Sequence, residues 1–303
     1  MKAMIFAAGL GTRLAPFTSH APKALVPLGG KPMLQRVAEK LIDAGATTIV
    51  VNVHHYADQV ADFLKGLNRP GVKFIISDES NLLLDTGGGL KKAAHLLGGV
   101  GPVILHNADV LSDIKLGAMM RQHLSSGAIA TLAVSRRTST RYFLWDGSGR
   151  LNGWENRTTG ERILCNTHSD RDPEALPGPV PSAAIDPPAA PDPAAAREPL
   201  NAPEPAAAPE PLAFSGVHVI DAGLFRHFPQ EDVFSINQVY LRLAATHPVI
   251  RFVHDHRFWA DIGTPEKLRQ AEQLYQREKE RFDDSGGHDA GPSDKMHGPG
   301  HSN

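Results

Sequence analysis

The sequence predicts an α/β fold, with a Rossmann-like, mostly parallel sheet flanked by helices, on the strength of two observations. Short apolar runs recur along the chain, and each ends abruptly in glycine or polar residues, as residues 4–8 do before Gly9. Such runs are typical of strands buried on both faces. Amphipathic segments with helical spacing separate them, and strands that alternate with helices form parallel sheets that bind ligands at the carboxyl ends of their strands.

The first half of the chain follows a βαβαβ pattern that two further strands extend. The apolar runs predict strands at 4–8, 48–53, 72–76, 103–106 and 129–134. Apolar residues three and four apart predict helices at 34–42, 60–67 and 116–124. In the second half we expect a β-hairpin at 142–145 and 150–155, strands at 214–220 and 249–254, and helices at 235–247 and 265–279.

A glycine loop with two basic residues follows the first strand. Gly9 and Gly11 let the backbone approach a ligand closely and take positive φ, so that successive N–H groups can form an anion-binding nest. Arg13 and Lys23 bring positive charge to this loop. An ordinary βα turn also accounts for a bare G-x-G, but Lys23 follows a long polar loop in which a lysine has no packing role. The loop is therefore predicted to bind phosphate.

Three submotifs in fixed order resemble the signature of the sugar-1-phosphate nucleotidylyltransferases. They are Gly9-Leu10-Gly11-Thr12-Arg13-Leu14, Pro22-Lys23-Ala24-Leu25-Val26-Pro27 and Gly30-Lys31-Pro32-Met33. Leu14 stands where the dinucleotide fingerprint has its third glycine, and the P-loop pattern is absent, so a Rossmann oxidoreductase and a P-loop protein are both disfavoured. The resemblance implies the nucleotide-diphospho-sugar transferase fold.

The resemblance also implies which residues bind the nucleotide. In the family the glycine loop wraps the triphosphate, and a threonine- and glycine-rich turn contacts the base and the sugar. Carried over to this chain, the nucleotide-binding residues are Ala8, Gly9, Gly11, Thr12, Arg13, Lys23, Asp85, Thr86, Gly87, Gly88 and Asn107. Arg13 and Lys23 are the catalytic residues by the same resemblance.

The run from Asp85 to Gly89 opens a predicted helix with three glycines. Such a start leaves the first N–H groups bare of side-chain cover, which suits a ligand with negative or carbonyl character. A flexible turn is the alternative for three glycines alone. The run most resembles enzymes that charge N-acetylmuramate 1-phosphate with UTP, and heptose 1-phosphate guanylyltransferases carry a close variant.

Two aspartates are candidate Mg²⁺ ligands. Asp109 follows a predicted strand, where a carboxylate can hold a divalent cation against phosphates, although an Asx turn or helix cap explains it equally. Asp261 lies in Trp259-Ala260-Asp261-Ile262-Gly263-Thr264-Pro265, which resembles a second family signature. The alternative for Asp261 is a turn residue before the last helix. The resemblance implies that both bind the metal.

The predicted hairpin is similar to the sugar-binding half of the family. There a glutamate, usually followed by lysine, binds the sugar 1-phosphate, and Glu155 is the matching residue. Asn156 occupies the lysine position, so Arg157 or Arg162 is expected to supply the missing charge. The other residues that the resemblance places at the sugar phosphate are Gly88, Asn107, Ser215 and Gly216.

A change of composition interrupts the predicted domain. Between residues 173 and 211 lie 13 of the chain's 24 prolines, with alanine filling much of the rest. Proline removes backbone donors, so this composition cannot build a core. Because the resemblance resumes directly afterwards, we expect one nucleotidylyltransferase domain over 1–280, interrupted by a disordered insertion at 166–211 and followed by a disordered tail at 281–303.

The bulk composition limits the partners. The formal charge of −2 gives no reason to expect nucleic acid, and no apolar stretch approaches the length of a membrane span. A single cysteine, Cys165, rules out an intramolecular disulfide. A cytoplasmic protein without nucleic acid or membrane partners is expected.

The sequence thus predicts a Mg²⁺-dependent enzyme that joins a nucleoside triphosphate to a sugar 1-phosphate and releases pyrophosphate. UTP with N-acetylmuramate 1-phosphate, a pair that belongs to cell-wall sugar recycling, is the preferred substrate pair. A guanylyltransferase acting on heptose or mannose 1-phosphate is the first alternative. A catalytically silent sugar-nucleotide sensor is the second, and the retained Asp109, Asp261, Arg13 and Lys23 argue against it.

Overall fold

The computed structural model describes residues 1–99, 101–165 and 208–283. These residues form fourteen strands: β1 (Lys2–Phe6), β2 (Pro27–Leu28), β3 (Lys31–Pro32), β4 (Thr48–Val53), β5 (Lys73–Asp78), β6 (Val103–Asn107), β7 (Val110–Ser112), β8 (Ala130–Ser135), β9 (Arg141–Trp145), β10 (Leu151–Asn156), β11 (Glu161–Leu164), β12 (Glu210–Ile220), β13 (Val249–Val253) and β14 (Trp259–Asp261). Their helices are α1 (Met33–Asp43), α2 (Ala57–Gly66), α3 (Asp85–Leu97), α4 (Leu116–Ser126), α5 (Ile236–Leu243), α6 (Pro265–Arg277) and α7 (Lys279–Asp283).

The first half of the sheet is parallel, as the alternation of strands and helices predicted. β1 pairs in parallel with β4 and β6, and β4 pairs in parallel with β5. Side chains on both faces of β1 and β4 are buried, because α3 and α5 cover one face while α1, α2 and α4 cover the other. The predicted fold class, a mostly parallel sheet flanked by helices, is confirmed.

One long strand, β12, joins this parallel half to an antiparallel half. Its second part pairs with β6, whereas its first part pairs with β9, which continues into the meander of β10 and β11. The register of β12 against β8 shifts between Phe214 and His218, and Gly216 has a φ of 76° within that shift. Glycine tolerates this left-handed backbone, so the strand bends there and serves both halves.

Two small sheets lie outside the main one, and the sequence did not predict them. β7 pairs with β14, and β2 pairs with β3. A separate apolar cluster lies beneath them and joins distant parts of the chain, including Leu14, Met33, Ile262 and Tyr275. This cluster fixes the glycine loop and α6 against the strands that carry the predicted aspartates.

Several predicted boundaries differ from the observed ones for local reasons. β1 ends at Phe6 rather than Ala8, because the Ala7 amide donates to the side chain of Asn52 at 2.8 Å and not to a neighbouring strand. α5 ends at Leu243 rather than His247, and the amide of Thr246 closes a tight turn onto the Leu243 carbonyl. α6 ends at Arg277, two residues before the predicted position.

The predicted insertion and tail fall mainly outside the described residues. Glu210 and Pro211, the last two residues of the 166–211 segment, begin β12. Residues 281–283, the first three of the predicted tail, complete α7. Among the described residues, no helix combines the length and the apolar character that crossing a membrane requires.

The turn between β2 and β3 shows why α6 needs a glycine beneath it. Gly29 has a φ of 57°, and a methyl group there would lie 2.0 Å from Cε1 of the buried Tyr275. The Gly29 amide donates to Glu272 at 2.8 Å, and the guanidinium of Arg36 stacks 4.1 Å from the centre of the Tyr275 ring. The turn, α1 and α6 are therefore held together around one aromatic ring.

We expect Gly29→Ala to lower the free energy of unfolding by roughly 2–4 kcal/mol, since overpacking adds to the cost of a left-handed backbone. Gly30→Ala is the matched control, because Gly30 has a φ of 75° but no atom within 4 Å of the added methyl group. It should lose only about 1–2 kcal/mol. Urea denaturation of both variants measures the difference, and equal losses would show that contact with Tyr275 is unimportant.

Candidate active site

A cleft of about 480 Å³ opens at the carboxyl ends of β1 and β6. Because these strands are parallel neighbours, the segments that follow them lie side by side, and the Ala108 amide donates to the Phe6 carbonyl at 3.0 Å. The volume is in the range of small-molecule sites. The predicted site residues that line it are Ala8, Gly9, Lys23, Asp85, Thr86, Asn107 and Asp109.

The glycine loop folds back onto the residues that follow it. Gly11 has a φ of 69°, and a methyl group there would lie 3.0 Å from Cγ2 of Thr18 and 3.1 Å from Cβ of Lys23. The hydroxyl of Thr18 donates to the Gly11 carbonyl at 2.8 Å, which closes the loop. Gly11, Thr12 and Arg13 do not line the cleft itself, and the Arg13 side chain is exposed to solvent beside it.

Lys23 and Asp109 form an ion pair on the cleft wall, where their side chains are 16% and 26% exposed. Lys23 begins a 3₁₀ turn and Asp109 follows β6, so the pair joins the glycine loop to the end of the sheet. Partial burial makes their attraction stronger than that of a surface pair, because less water screens it. Each charge holds the other in position at the mouth of the cleft.

Asp261 is brought beside Asp109 by backbone pairing. In the small sheet Asp261 lies opposite Val110, and the Ile262 amide donates to the Asp109 carbonyl at 3.0 Å. The Asp261 carboxylate accepts from Lys267 Nζ at 2.7 Å and from the Gly263 amide at 3.0 Å. The bond to Gly263 is the turn contact that was the alternative for Asp261, so the turn role is observed. Asp261 lies outside the lining of the cleft.

The donor set at this edge fits a magnesium ion. Among the described residues, no group of three or more histidine, cysteine, aspartate or glutamate side chains could hold a metal on its own. Mg²⁺ in phosphate-handling sites is typically held by one or two carboxylates together with phosphate oxygens. Asp109, which directly precedes β7, and Asp261, on its partner strand β14, are two carboxylates of the kind such a site would need.

Two buried polar residues of the cleft, Asn52 and Glu79, were missed by the sequence analysis. The Asn52 side chain accepts from the Ala7 amide and donates to Glu79, both at 2.8 Å, and Glu79 is only 1% exposed. Burial raises the pKa of the Glu79 carboxyl, against the opposing effect of its hydrogen bonds. The pair fixes the start of the glycine loop. A lone asparagine in the apolar run of β4 was the available signal.

The prediction that the glycine run leaves bare N–H groups is wrong. The amides of Gly87 and Gly88 both donate to the Phe234 carbonyl, at 2.9 and 3.2 Å. A methyl group at Gly87 would lie 2.3 Å from Cδ2 of Phe234, and one at Gly89 would lie 2.5 Å from Oε1 of Glu79. The glycines therefore serve close packing, because the segment before α5 and the buried Glu79 come so near.

Of the predicted sugar-phosphate residues, Asn107 lines the cleft and Gly88 lies on α3, whereas Glu155 lies outside the lining, on the antiparallel half of the sheet. Glu155 accepts a hydrogen bond from Nε of Arg157 at 2.8 Å, and the Arg157 guanidinium stacks 4.2 Å from the centre of the Tyr142 ring. Arg162 lies opposite Glu155 in the register of β10 and β11. Asn156 is buried, and its side chain accepts from the Thr158 amide at 3.0 Å.

Ser215 and Gly216 lie at the bend of β12, next to the end of β6. A methyl group at Gly216 would lie 2.9 Å from Nδ2 of Asn107, so the bend packs directly against the cleft residue. Ser215 is fully buried, and its hydroxyl is 2.7 Å from Nε2 of His254. His254 is half-buried because its side chain turns inward to Ser215.

Comparison with known proteins agrees with this architecture. Residues 2–143 match the nucleotidyl transferase family model. The chain is 46% identical over 109 residues to N-acetylmuramate alpha-1-phosphate uridylyltransferase from Caulobacter vibrioides, covering 35% of this chain and 45% of that protein. It is 37% identical over 138 residues to mannose-1-phosphate guanyltransferase from Aspergillus oryzae, covering 45% and 38%. The chain thus matches less than half the length of each of these two relatives.

The fold is shared with solved structures over most of the chain. HddC from Yersinia pseudotuberculosis superposes with a TM-score of 0.61 at 20% identity, covering 90% of this chain and 99% of that one. The resemblance predicted from the sequence is thereby confirmed: residues 2–143 carry the signature of the nucleotidyl transferase family, and the chain has the nucleotide-diphospho-sugar transferase fold.

Proposed function

We propose that this chain is a sugar-1-phosphate nucleotidylyltransferase, which transfers a nucleotidyl group from a nucleoside triphosphate to a sugar 1-phosphate and releases pyrophosphate. The observation that carries the proposal is the cleft at the ends of β1 and β6. Its walls bring together the glycine loop, the ion pair of Lys23 and Asp109, and the start of α3 at Asp85 and Thr86. The relatives that match residues of this half are nucleotidylyltransferases by name.

The proposed reaction needs positioning and charge neutralisation more than proton transfer. A phosphate oxygen of the sugar 1-phosphate attacks the α-phosphorus of the nucleotide, forming one P–O bond while the bond to pyrophosphate breaks. Because this nucleophile is already an anion, no general base is required. Two polyanions must be held together against their repulsion, and cationic groups lower that cost in the transition state.

Lys23 and Arg13 have separate tasks in this proposal. Lys23 lies on the cleft wall and donates to the phosphates near the attacked phosphorus, exchanging its contact with Asp109 for one with substrate. Arg13 lies on the exposed side of the glycine loop, outside the cleft lining, where the leaving pyrophosphate emerges. The amides of the loop around Gly9 and Gly11 hold the remaining phosphate oxygens.

Asp109 and Asp261 would hold Mg²⁺ between the two substrates. When bound there, the ion supplies positive charge to the phosphates on either side of the reacting bond. Lys23 and Lys267 each contact one of these carboxylates. Their positive charges reduce the electrostatic repulsion between Asp109 and Asp261. In that arrangement Asp109 would serve as a metal ligand and Lys23 would contact the phosphates.

For the substrate pair we propose UTP and N-acetylmuramate 1-phosphate. The support is the run from Asp85 to Gly89 together with the similarity to the uridylyltransferase from Caulobacter vibrioides. Guanylyl transfer to mannose or heptose 1-phosphate is the second candidate, favoured by the similarity to the mannose-1-phosphate guanyltransferase from Aspergillus oryzae.

A matrix of the four nucleoside triphosphates against several sugar 1-phosphates, read by pyrophosphate release, tests the proposed function. We expect UTP with N-acetylmuramate 1-phosphate to give the highest kcat/KM in the matrix. A maximum with GTP and mannose or heptose 1-phosphate would transfer the assignment to the second candidate. Absence of pyrophosphate from every pair in the presence of Mg²⁺ would refute the enzyme proposal.

We expect Asp109→Asn and Asp261→Asn each to lower kcat by at least about 100-fold, because each removes a carboxylate that would hold Mg²⁺ beside the phosphates. Asp62→Asn is the matched control, since Asp62 is an exposed aspartate on α2 whose side chain is 74% accessible. Turnover and the unfolding midpoint in urea are measured for all three. Near-normal turnover of either site variant would remove that residue from the metal site.

A further inference from the structure

Arg137 lies between the two halves of the candidate site, and no motif of the sequence pointed to it. It follows β8. Its Nη2 donates to the Phe214 carbonyl at 2.7 Å, and its guanidinium carbon lies 4.0 Å from the centre of the Trp259 ring. Its Nε is buried without a hydrogen-bond partner among the described residues. A cation fixed on two sides and left with an unused donor is suited to an anionic ligand.

The neighbours of Arg137 place it at the junction of the two proposed subsites. Trp259 and Asp261 are two residues apart on β14, so both face the side on which Arg137 stacks. Burial lowers the pKa of the Arg137 guanidinium, and the negative charge of Asp261 opposes that shift, with a smaller opposing effect from the nearby Tyr142 side chain. Tyr142 lies opposite Glu155 in the register of β9 and β10. Arg137 therefore lies near Asp261, the proposed metal ligand, and near Tyr142, whose cross-strand neighbour is Glu155.

We infer that Arg137 binds the phosphate group of the sugar 1-phosphate and orients it towards the nucleotide. The inference rests on the proposed function and identifies the residue that receives its second substrate. A guanidinium presents a planar fork that matches the oxygens of a phosphate monoester and stays charged at any physiological pH. Stacking on Trp259 fixes the plane of that fork before the ligand arrives.

The charges around Asp261 agree with an anion at this place. Asp109 and Asp261 face three cations, namely Lys23, Lys267 and Arg137. Each lysine already contacts one carboxylate directly, whereas the hydrogen bond that Arg137 makes within the described part of the chain goes to a neutral carbonyl. A half-buried cation paired in this way retains an unbalanced charge, and a phosphate would balance it.

The two arginines suggested by the sequence are less suited to this task. Arg157 is 54% exposed, and its Nε is already bonded to Glu155, so it serves to orient that carboxylate. Arg162 is exposed on β11, the outermost strand of the meander. At position 156 the side chain points into the protein to bond the Thr158 amide, so a lysine there would not reach the site.

Steady-state kinetics of Arg137→Gln, Arg137→Lys and the neighbouring Arg136→Gln test the inference. Glutamine removes the charge, and its shorter side chain ends near the position of the arginine Nε, so the bond from Nη2 to the Phe214 carbonyl is lost as well. We expect Arg137→Gln to raise KM for the sugar 1-phosphate about 10- to 100-fold, as for loss of a hydrogen bond between charged groups, and to leave KM for the nucleotide within about twofold. Arg137→Lys should lie between, because it keeps the charge without the fork.

The control variant, Arg136→Gln, shows whether loss of a neighbouring positive charge is by itself enough to change KM. Arg136 is 68% exposed and pairs with Glu210, away from Trp259, so Arg136→Gln should leave both KM values unchanged. Inorganic phosphate should compete with the sugar 1-phosphate on the wild type and do so less effectively on Arg137→Gln. The urea midpoint of Arg137→Gln shows whether the variant is folded.

Three results would overturn the inference. One is a KM for the sugar 1-phosphate within twofold of the wild type in Arg137→Gln. Another is an equal rise of both KM values, which would indicate a general disturbance around Asp261. The third is equal affinity of the wild type and Arg137→Gln for inorganic phosphate, measured by calorimetry, which would exclude an anion site at Arg137. This measurement does not depend on turnover. It therefore still tests the inference if the wild type releases no pyrophosphate and the proposed function fails.

Discussion

The candidate site depends on the pairing of two three-residue strands, β7 and β14. This pairing joins segments that are about 150 positions apart in the sequence, and it sets Asp261 beside the residue that follows Asp109. It also brings Trp259 under Arg137 and seats Ile262 in the apolar cluster that holds Leu14. Two strands of three residues each are too short to pair stably on their own. The apolar cluster beneath them, rather than their own hydrogen bonds, keeps the small sheet in place.

Several charged side chains of the candidate site are arranged as ion pairs. Lys23 contacts Asp109, Lys267 contacts Asp261, and Arg157 contacts Glu155. Each pair is only partly buried, so the carboxylate keeps access to ligands while its partner limits the repulsion between neighbouring acids. In the proposed reaction Lys23 turns from its carboxylate to the phosphates, whereas Lys267 and Arg157 keep their carboxylates in position. The site is therefore prepared to accept negative charge without carrying a large net positive charge of its own.

Local patterns in the sequence predicted the parallel half of the fold and the glycine loop, because burial on two faces and helical spacing leave clear traces within a few residues. They did not predict β7 and β14, whose pairing is set by contacts between distant segments. They also misjudged Gly87 and Gly88: a glycine next to a ligand and a glycine next to Phe234 look alike in sequence. The resemblance named Asp109 and Asp261 together as candidate metal ligands, and the structure pairs the backbone segments that carry them. It could not indicate Arg137, which lies outside the family motifs.

The central place of β12 has a consequence for the order in which the protein is made. β12 covers the free edge of β6, but about 100 residues of chain separate the two strands, which is roughly 5–20 s of synthesis at about 5–20 residues per second. During that time β6 presents an open edge on which another strand could add. Proline cannot donate to a strand ladder, and the segment that must be made first contains 13 prolines between 173 and 211. Its composition makes it a poor competitor for the position that β12 finally takes.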